Sequence, residues 1–280
     1  MGGFSAAIQR FGIGRLAAVL GVAAGVAAVL VAVARTQGSV PRERGAWMVV
    51  LADTELGTIG GGQLEWQAID RARQMLRDPQ PGLVEWRCPL GPSLGQCCGG
   101  VVHLVAWRVA AGDAPDLQAR WQAALTPVAL FGGGHVGRAL VRAMAPLPFA
   151  VHWIDSRDGV FPSDVPSQVR VEHSDPVHRA VADLPGASRV LIMSFSHAED
   201  LDIVAACLDR QRRMADLSFI GLIGSRTKWV TFRHRLAARG YTDKELEQVT
   251  CPIGLPGIAG KQPEVIAASV VAQLLLGLSG

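Results

Sequence analysis

The chain has 280 residues, of which 49% are apolar and 18% charged, so it can bury a sizeable core and is not a disordered sequence. Its net charge of +3 is scattered, with no dense basic run, and gives no grounds for a nucleic-acid partner. The five cysteines, Cys88, Cys97, Cys98, Cys207 and Cys251, are odd in number and lack zinc-site spacing. They read as free thiols in a reducing, cytoplasmic compartment, and no protein-bound metal is expected.

Leu16–Ala34 is an uncharged run of 19 residues, long enough to span a bilayer. Eight of those residues are Ala and two are Gly, which weakens the apolar drive, and the small residues before Arg35 also resemble a signal-cleavage site. The reading adopted divides the run: a helix over about Ser5–Ala23, a turn at Gly25, then a buried Val/Ala strand to Arg35. Trp47–Leu51 and Leu56–Ile59 read as a hairpin around Asp53-Thr54-Glu55, followed by a charged amphipathic helix over about Gln63–Leu76. Strands are expected at Leu83–Trp86 and Val101–Val109, and Ala111–Pro115 reads as linker. From there strand and helix alternate: strands at Val128–Phe131, Ala150–Ile154, Val190–Met193 and Phe219–Ile223, with helices over Gly137–Met144, Ala198–Arg210, Ser225–Ala238 and Pro263–Leu276. The fold class expected is α/β: an N-terminal α+β domain (1–112), a linker (113–125), and a doubly wound parallel sheet with a C-terminal helix (126–280).

Gly132-Gly133-Gly134-His135-Val136-Gly137 matches G-x-G-x-x-G in its required context, after a strand and opening a helix. Asp155 ends the next strand, where an acid meets a ribose hydroxyl in a Rossmann domain. Glycines there admit a pyrophosphate to the backbone, or simply permit close helix–strand packing. Arg157 suits an extra phosphate or is a solvated loop charge. The loop Gly95-Gln96-Cys97-Cys98-Gly99-Gly100 sets soft thiols beside bare backbone, suiting molybdenum, a sulfur-bearing ligand or a phosphate; the alternative is a tight turn holding two small hydrophobes. Gly60-Gly61-Gly62 at a helix start is an anion pocket or a hairpin-to-helix turn. Arg42 and Arg44 either bind an anion or face solvent. His197, with Ser194, Ser196, Glu199 and Asp200, lies where Rossmann ligands bind, although helix capping by Ser196 explains much of that pattern.

Together these loops resemble the XdhC/CoxI family of xanthine dehydrogenase accessory proteins. The matching pieces are Gly38-Ser39-Val40-Pro41-Arg42 with Gly45-Ala46, Gly60-Gly61-Gly62-Gln63-Leu64-Glu65, Gly95 to Gly100, Phe131 to Gly137, Ile220-Gly221-Leu222-Ile223-Gly224-Ser225-Arg226, and Pro252-Ile253-Gly254-Leu255. The sequence departs from the pattern after Leu255, where Pro256-Gly257-Ile258 replaces an expected Asp-Ile-Gly-like continuation. The resemblance implies a cytoplasmic N-terminal XdhC/CoxI domain and a C-terminal Rossmann domain. It also implies a carrier, rather than an enzyme, that holds molybdenum cofactor while a cysteine desulfurase supplies sulfur and then delivers it to xanthine dehydrogenase. The family's cysteine motif maps onto Cys97 and Cys98, with Cys98 the expected molybdenum contact, and the chemistry of the loops adds Gln96, Gly99, Gly100, Arg42, Gly61 and Gly62 as candidate binding residues. Gly132, Gly134, Gly137 and Asp155 would hold the pterin or a nucleotide. A homo-oligomer fits this picture, and membrane association does not. The competing reading is an NAD(P)-dependent oxidoreductase using the Rossmann loop; it leaves the cysteine loop unexplained.

Overall fold

The uncharged run Ala28–Val33 is buried on every residue and forms the middle strand of a five-stranded sheet. In the computed structural model, which describes residues 27–78, 82–91, 99–109, 125–166 and 168–278, this is β1, Ala28–Gln37. It pairs antiparallel with β2 (Trp47–Val50) on one side and β5 (Val101–Val109) on the other. Residues 28–34 are therefore strand and not part of a spanning helix. No helix among the described residues is long and apolar enough to cross a membrane. The expected Ser5–Ala23 helix lies outside the described residues.

The chain divides into two compact units, Met1–Leu125 and Thr126–Gly280. Most of the expected linker, 113–125, lies outside the described residues. In the first unit, β3 (Glu55–Gly57) and β4 (Val84–Pro89) complete a sheet of order β3-β2-β1-β5-β4. Helix α1 (Gly62–Arg77) buries Leu64, Ala68, Ala72 and Met75, a helical stripe packed against Val29, Val31 and Val33 of β1. The other face of β1 buries Ala28, Leu30 and Ala32 beside Trp47 and Val49.

The second unit is a parallel sheet built from β6 (Thr126–Phe131), β7 (Phe149–Asp155), β8 (Arg170–His173), β9 (Arg189–Ile192), β10 (Phe219–Leu222) and β11 (Val249–Thr250). Its order is β11-β10-β9-β6-β7-β8. Counted from β6, this is the 3-2-1-4-5-6 doubly wound arrangement, which reverses between β6 and β9. Helices α2 (His135–Met144) and α6 (Pro263–Leu276) cover one face through Leu140, Val141, Met144, Val270 and Leu274. The 3₁₀ helix Val177–Asp183 and helices α3 (His197–Met214) and α4 (Arg226–Ala238) cover the other; α5 (Asp243–Leu246) follows α4.

One buried cation fastens the 3₁₀ helix. Arg210 on α3 donates from Nη1 to the carbonyl of Val181 at 2.7 Å and from Nη2 to that of Leu184 at 2.7 Å, and it grips Asp216 through Nε and Nη2. The carbonyls at a helix end lack intrahelical donors, and a guanidinium supplies several at once. Arg210→Met keeps the apolar stem but orphans those carbonyls. We expect a loss of about 3 kcal/mol in urea-unfolding free energy. An unchanged unfolding curve would show that other groups satisfy them.

Candidate functional site

Sequence places the candidate residues in two groups, and the structure assembles a loop cluster in each unit.

In the first unit, three of the sequence motifs converge at one end of the sheet. Gly38 takes a left-handed φ of +70°, and a side chain there would meet the Cα of Gly100 at 3.3 Å. Gly100 is buried, and a Cβ on it would run into the carbonyl oxygens of Gln37 and Ser39. Gly60, at φ +126°, leaves no room for a side chain against Pro41, whose Cγ would lie 2.6 Å away. Motifs far apart in sequence are thus held in close contact, backbone to backbone at Gly38 and Gly100 and against the Pro41 ring at Gly60, and glycine is required where they touch. Gly61 and Gly99 are different: a Cβ on either would meet nothing within 4 Å among the described residues. Gly61 precedes α1, and no side chain on it caps the helix. The Glu65 carboxylate instead folds back to accept from the Ile59 and Gly61 amides at 3.0 and 3.1 Å, and from the Thr58 hydroxyl. Part of the expected anion pocket is therefore filled by the chain's own carboxylate. Gly62 begins α1, exposed. Arg42 Nε lies 3.9 Å from Glu43, with its side chain 28% exposed. Gln96, Cys97 and Cys98 lie outside the described residues; Gly99 and Gly100, which follow them, are part of the cluster.

In the second unit, the glycine turn follows β6 at the point where the strand order reverses. Gly132 has φ +126°, and a Cβ on it would collide with the Met193 carbonyl; one on Gly137 would collide with the Gly132 carbonyl. The Gly132 carbonyl is fixed by the buried Trp153 indole at 2.8 Å. Gly134, at φ −72°, has open space around it and starts α2, whose first turn carries no acid and no capping side chain. Gly132 and Gly137 are thus demanded by packing, whereas Gly134 offers a bare approach to helix amides.

Asp155 is 2% exposed. Its Oδ2 accepts from the Gly133 amide at 2.6 Å and from Arg157 Nη2 at 2.9 Å; its Oδ1 accepts from the Arg157 amide and Nε at 2.8 and 2.9 Å. Burial by itself raises its pKa, but the hydrogen bonds from Arg157 and Gly133 outweigh it and hold the carboxyl below its ordinary range. The Arg157 guanidinium lies 4.7 Å over the ring of Phe195, which is 67% exposed. Ser156 donates to Glu199 Oε1 at 2.6 Å. Further along the strand ends, Asp200 Oδ1 accepts from the Ser194 amide and hydroxyl, and its Oδ2 pairs with Lys228 Nζ at 2.6 Å. Ser196 caps α3 through the Glu199 amide. His197 meets the Phe232 ring edge-on, with centroids 6.2 Å apart.

The sequence reading missed Lys228, Arg210 and the Ser156–Glu199 link. Only Lys228 carried a signal, through its position four residues after Gly224 at the start of a helix. Pro252 to Leu255 is pinned by α6, whose Gln273 and Ser269 accept from the Gly254 and Leu255 amides, both at 2.8 Å. Among the described residues, no cluster of His, Cys, Asp or Glu is arranged to hold a metal.

Two outcomes follow from this geometry. Gly132→Ala should destabilise the second unit by about 3 kcal/mol, combining backbone strain with the carbonyl clash, while Gly134→Ala changes stability by less than about 0.5 kcal/mol. Equal thermal shifts for the two variants would refute that division. Asp155 has a depressed pKa in the folded state, so its stabilisation is fully present above its unfolded pKa of about 3.9 and is lost as pH falls through the folded value. Asp155→Asn should therefore flatten the acid limb of stability against pH below about 4, measured by urea unfolding across pH, and an unaltered limb would contradict the assignment.

The chain matches the XdhC Rossmann domain over residues 128–274 and the XdhC and CoxI family over residues 22–87. It is 27% identical over 244 residues to the uncharacterized protein YqeB of Escherichia coli strain K12, an alignment covering 86% of this chain and 41% of that protein. The chain thus spans about two fifths of that relative's length. Its fold is shared with a crystal structure described as a xanthine dehydrogenase (BH1974) from Bacillus halodurans, with TM-score 0.75, 19% identity and 96% of each chain covered. With both units matched in order, and the Rossmann match spanning more than half its length, the chain belongs to the XdhC and CoxI family.

Proposed function

We propose that this protein carries molybdenum cofactor as cargo, holding it while sulfur is added by a cysteine desulfurase and handing it to xanthine dehydrogenase. The observation that carries the reading is the close contact among Gly38–Arg42, Gly60–Glu65 and Gly99–Gly100 in the first unit. Family membership supports the nature of the cargo.

Molybdopterin combines a planar pterin, a dithiolene that prefers soft neighbours and a terminal phosphate. The loop cluster offers matching types of group. Among the described residues nothing crowds the Cβ positions of Gly61 and Gly99, which suits the close approach of a flat ring, or of a phosphate that takes the Gly61 amide from Glu65. Arg42 supplies a guanidinium next to Gly60, suited to an anion. Cys97 and Cys98, immediately before Gly99, supply polarisable sulfur for the molybdenum end, and Gln96 an amide beside them. A carrier also has to release what it holds. The Glu65 carboxylate on the Ile59 and Gly61 amides provides an internal competitor for an incoming anion, so binding there is an exchange rather than a pure gain.

The test is a Cys97→Ser/Cys98→Ser double variant, purified in parallel with the parent from cells that make the cofactor. Serine keeps the volume and removes the soft contact, so the fold should survive while pterin and molybdenum retained per protein fall roughly tenfold, the size of effect that loss of a metal-site contact produces. Activation of apo xanthine dehydrogenase should fall with it. Full loading and delivery by the double variant would reduce the thiols to packing groups. NAD(P) recovered from the parent in place of pterin would instead favour an oxidoreductase.

A further inference from the structure

We infer that the free edge of the parallel sheet, β8, is the surface on which two copies of this chain pair, antiparallel about a two-fold axis at Val171. The pairing lies wholly within the second unit and does not depend on the cargo proposed for the first.

Strand β8 closes the sheet on one side, and β7 is its single partner among the described strands. Along such a strand, alternate residues direct their N–H and C=O groups toward the neighbour and away from it. The Ser174 amide donates to the Asp155 carbonyl of β7 at 3.1 Å, which sets the phase. Arg170 and Glu172 share the parity of Ser174 and face β7. Val171 and His173 therefore turn their backbone groups off the edge, where no described strand meets them. An edge of this kind is a template for another strand unless something blunts it.

Charge usually does the blunting, because an added strand then sets like charges side by side. Here the charges alternate in sign instead. Arg170 and Glu172 lie on one face of β8, with side chains 73% and 29% exposed. The Glu172 carboxylate lies 3.1 Å from Arg170 and 2.9 Å from His152, so its own chain sets it on the edge. Let a second β8 run antiparallel, with Val171 opposite its own copy. Arg170 then stands opposite the second copy's Glu172, and Glu172 opposite the second copy's Arg170. The four charges form a ring in which every neighbour has the opposite sign. Val171, 43% exposed, meets its copy at the centre. Its outward N–H and C=O make that central pair a hydrogen-bonded one, which leaves both Arg–Glu pairs at the closer, non-hydrogen-bonded positions. Centring the axis on either charged residue instead would set like charges opposite each other. It would also offer backbone groups that β7 already engages. Sign and backbone phase thus select the same register, and the contact is isologous.

Sedimentation equilibrium on the full chain tests this by charge reversal. The parent should form dimers by about 100 µM, as expected of a small and reversible interface. Arg170→Glu and Glu172→Arg each bring like charges together at both cross-strand positions, so each alone should dimerise about tenfold more weakly or not at all. Mixed in equal amounts, the two variants restore opposite charges across the axis and should form a heterodimer. That recovery also shows that both are folded. Val171→Pro removes the outward N–H and spares the bonds to β7, a change that edge strands tolerate, so a folded monomer is expected. A parent that stays monomeric at that concentration overturns the inference. So does a dimer that persists unweakened in Val171→Pro or in either charge variant alone, and so does a mixture of the two folded charge variants that fails to associate.

Discussion

The carboxylate of Asp155 ends β7 inside the protein, and its bond to the Gly133 amide fixes the turn on which the second unit's geometry depends. That bond joins the end of one strand to the loop leaving the next, so β6, β7 and the start of α2 are set as one piece. The charge is matched locally: Arg157, two residues on, returns its backbone amide and two guanidinium nitrogens to the same carboxylate. Burying a carboxylate is tolerable only when paired and hydrogen-bonded in this way. The pairing also aims the other face of the guanidinium at Phe195, on the far side of β6. A residue that the sequence nominates for ligand contact therefore has an architectural role, and its consequences reach a side chain forty residues away.

The glycines divide by the same kind of accounting. At Gly132, Gly137, Gly60 and Gly100 a Cβ would strike backbone or a proline ring, so these positions are fixed by chain packing whether or not anything binds. At Gly134, Gly61 and Gly99 nothing among the described residues stands within 4 Å. At Gly61 the left-handed φ of +72° accounts for the glycine, whereas Gly134, at φ −72°, has no such backbone requirement. A G-x-G-x-x-G pattern therefore mixes two kinds of glycine that only coordinates can separate.

Much of the fold was legible because it rests on periodicity. β5 and α6 run as their patterns require, and α1 was read to within a residue at each end, since its stripe of Leu64, Ala68, Ala72 and Met75 has an unambiguous helical repeat. The doubly wound order follows from strands alternating with helices. Four elements escaped, one of them the single-turn helix α5, Asp243–Leu246, which is too short to show a period. β8, Arg-Val-Glu-His, is largely exposed and so lacks an apolar signal; β11 has two residues; the 3₁₀ helix Val177–Asp183 is too short and irregular for a helical period. In the site, the glycine motifs were visible as motifs, but their mutual contact was not, because Gly38 and Gly100 meet only through strand pairing of β1 with β5. Nor could spacing reveal that Arg210 reaches back to carbonyls near residue 181, or that Ser156 finds Glu199; such partners are chosen by the tertiary fold.

Charge balance on the ligand side of the parallel sheet constrains what this unit can recognise. Asp155 and Asp200 sit at the carboxyl ends of β7 and beyond β9, each buried and each matched by one cation, Arg157 and Lys228. Each pair is formally neutral, so the buried carboxylates do not present a strong net field to an approaching anion. Attraction for a phosphate then comes chiefly from oriented backbone amides at the start of α2, which act over short range and fade within a turn. Lys228 also donates to the Ile223 carbonyl, tying the loop after β10 to the carboxylate that holds the loop after β9. The two loops therefore share one anchor, and a shift in either must be accommodated by the other. Selectivity on such a surface has to come from hydrogen-bond matching and shape rather than from net charge.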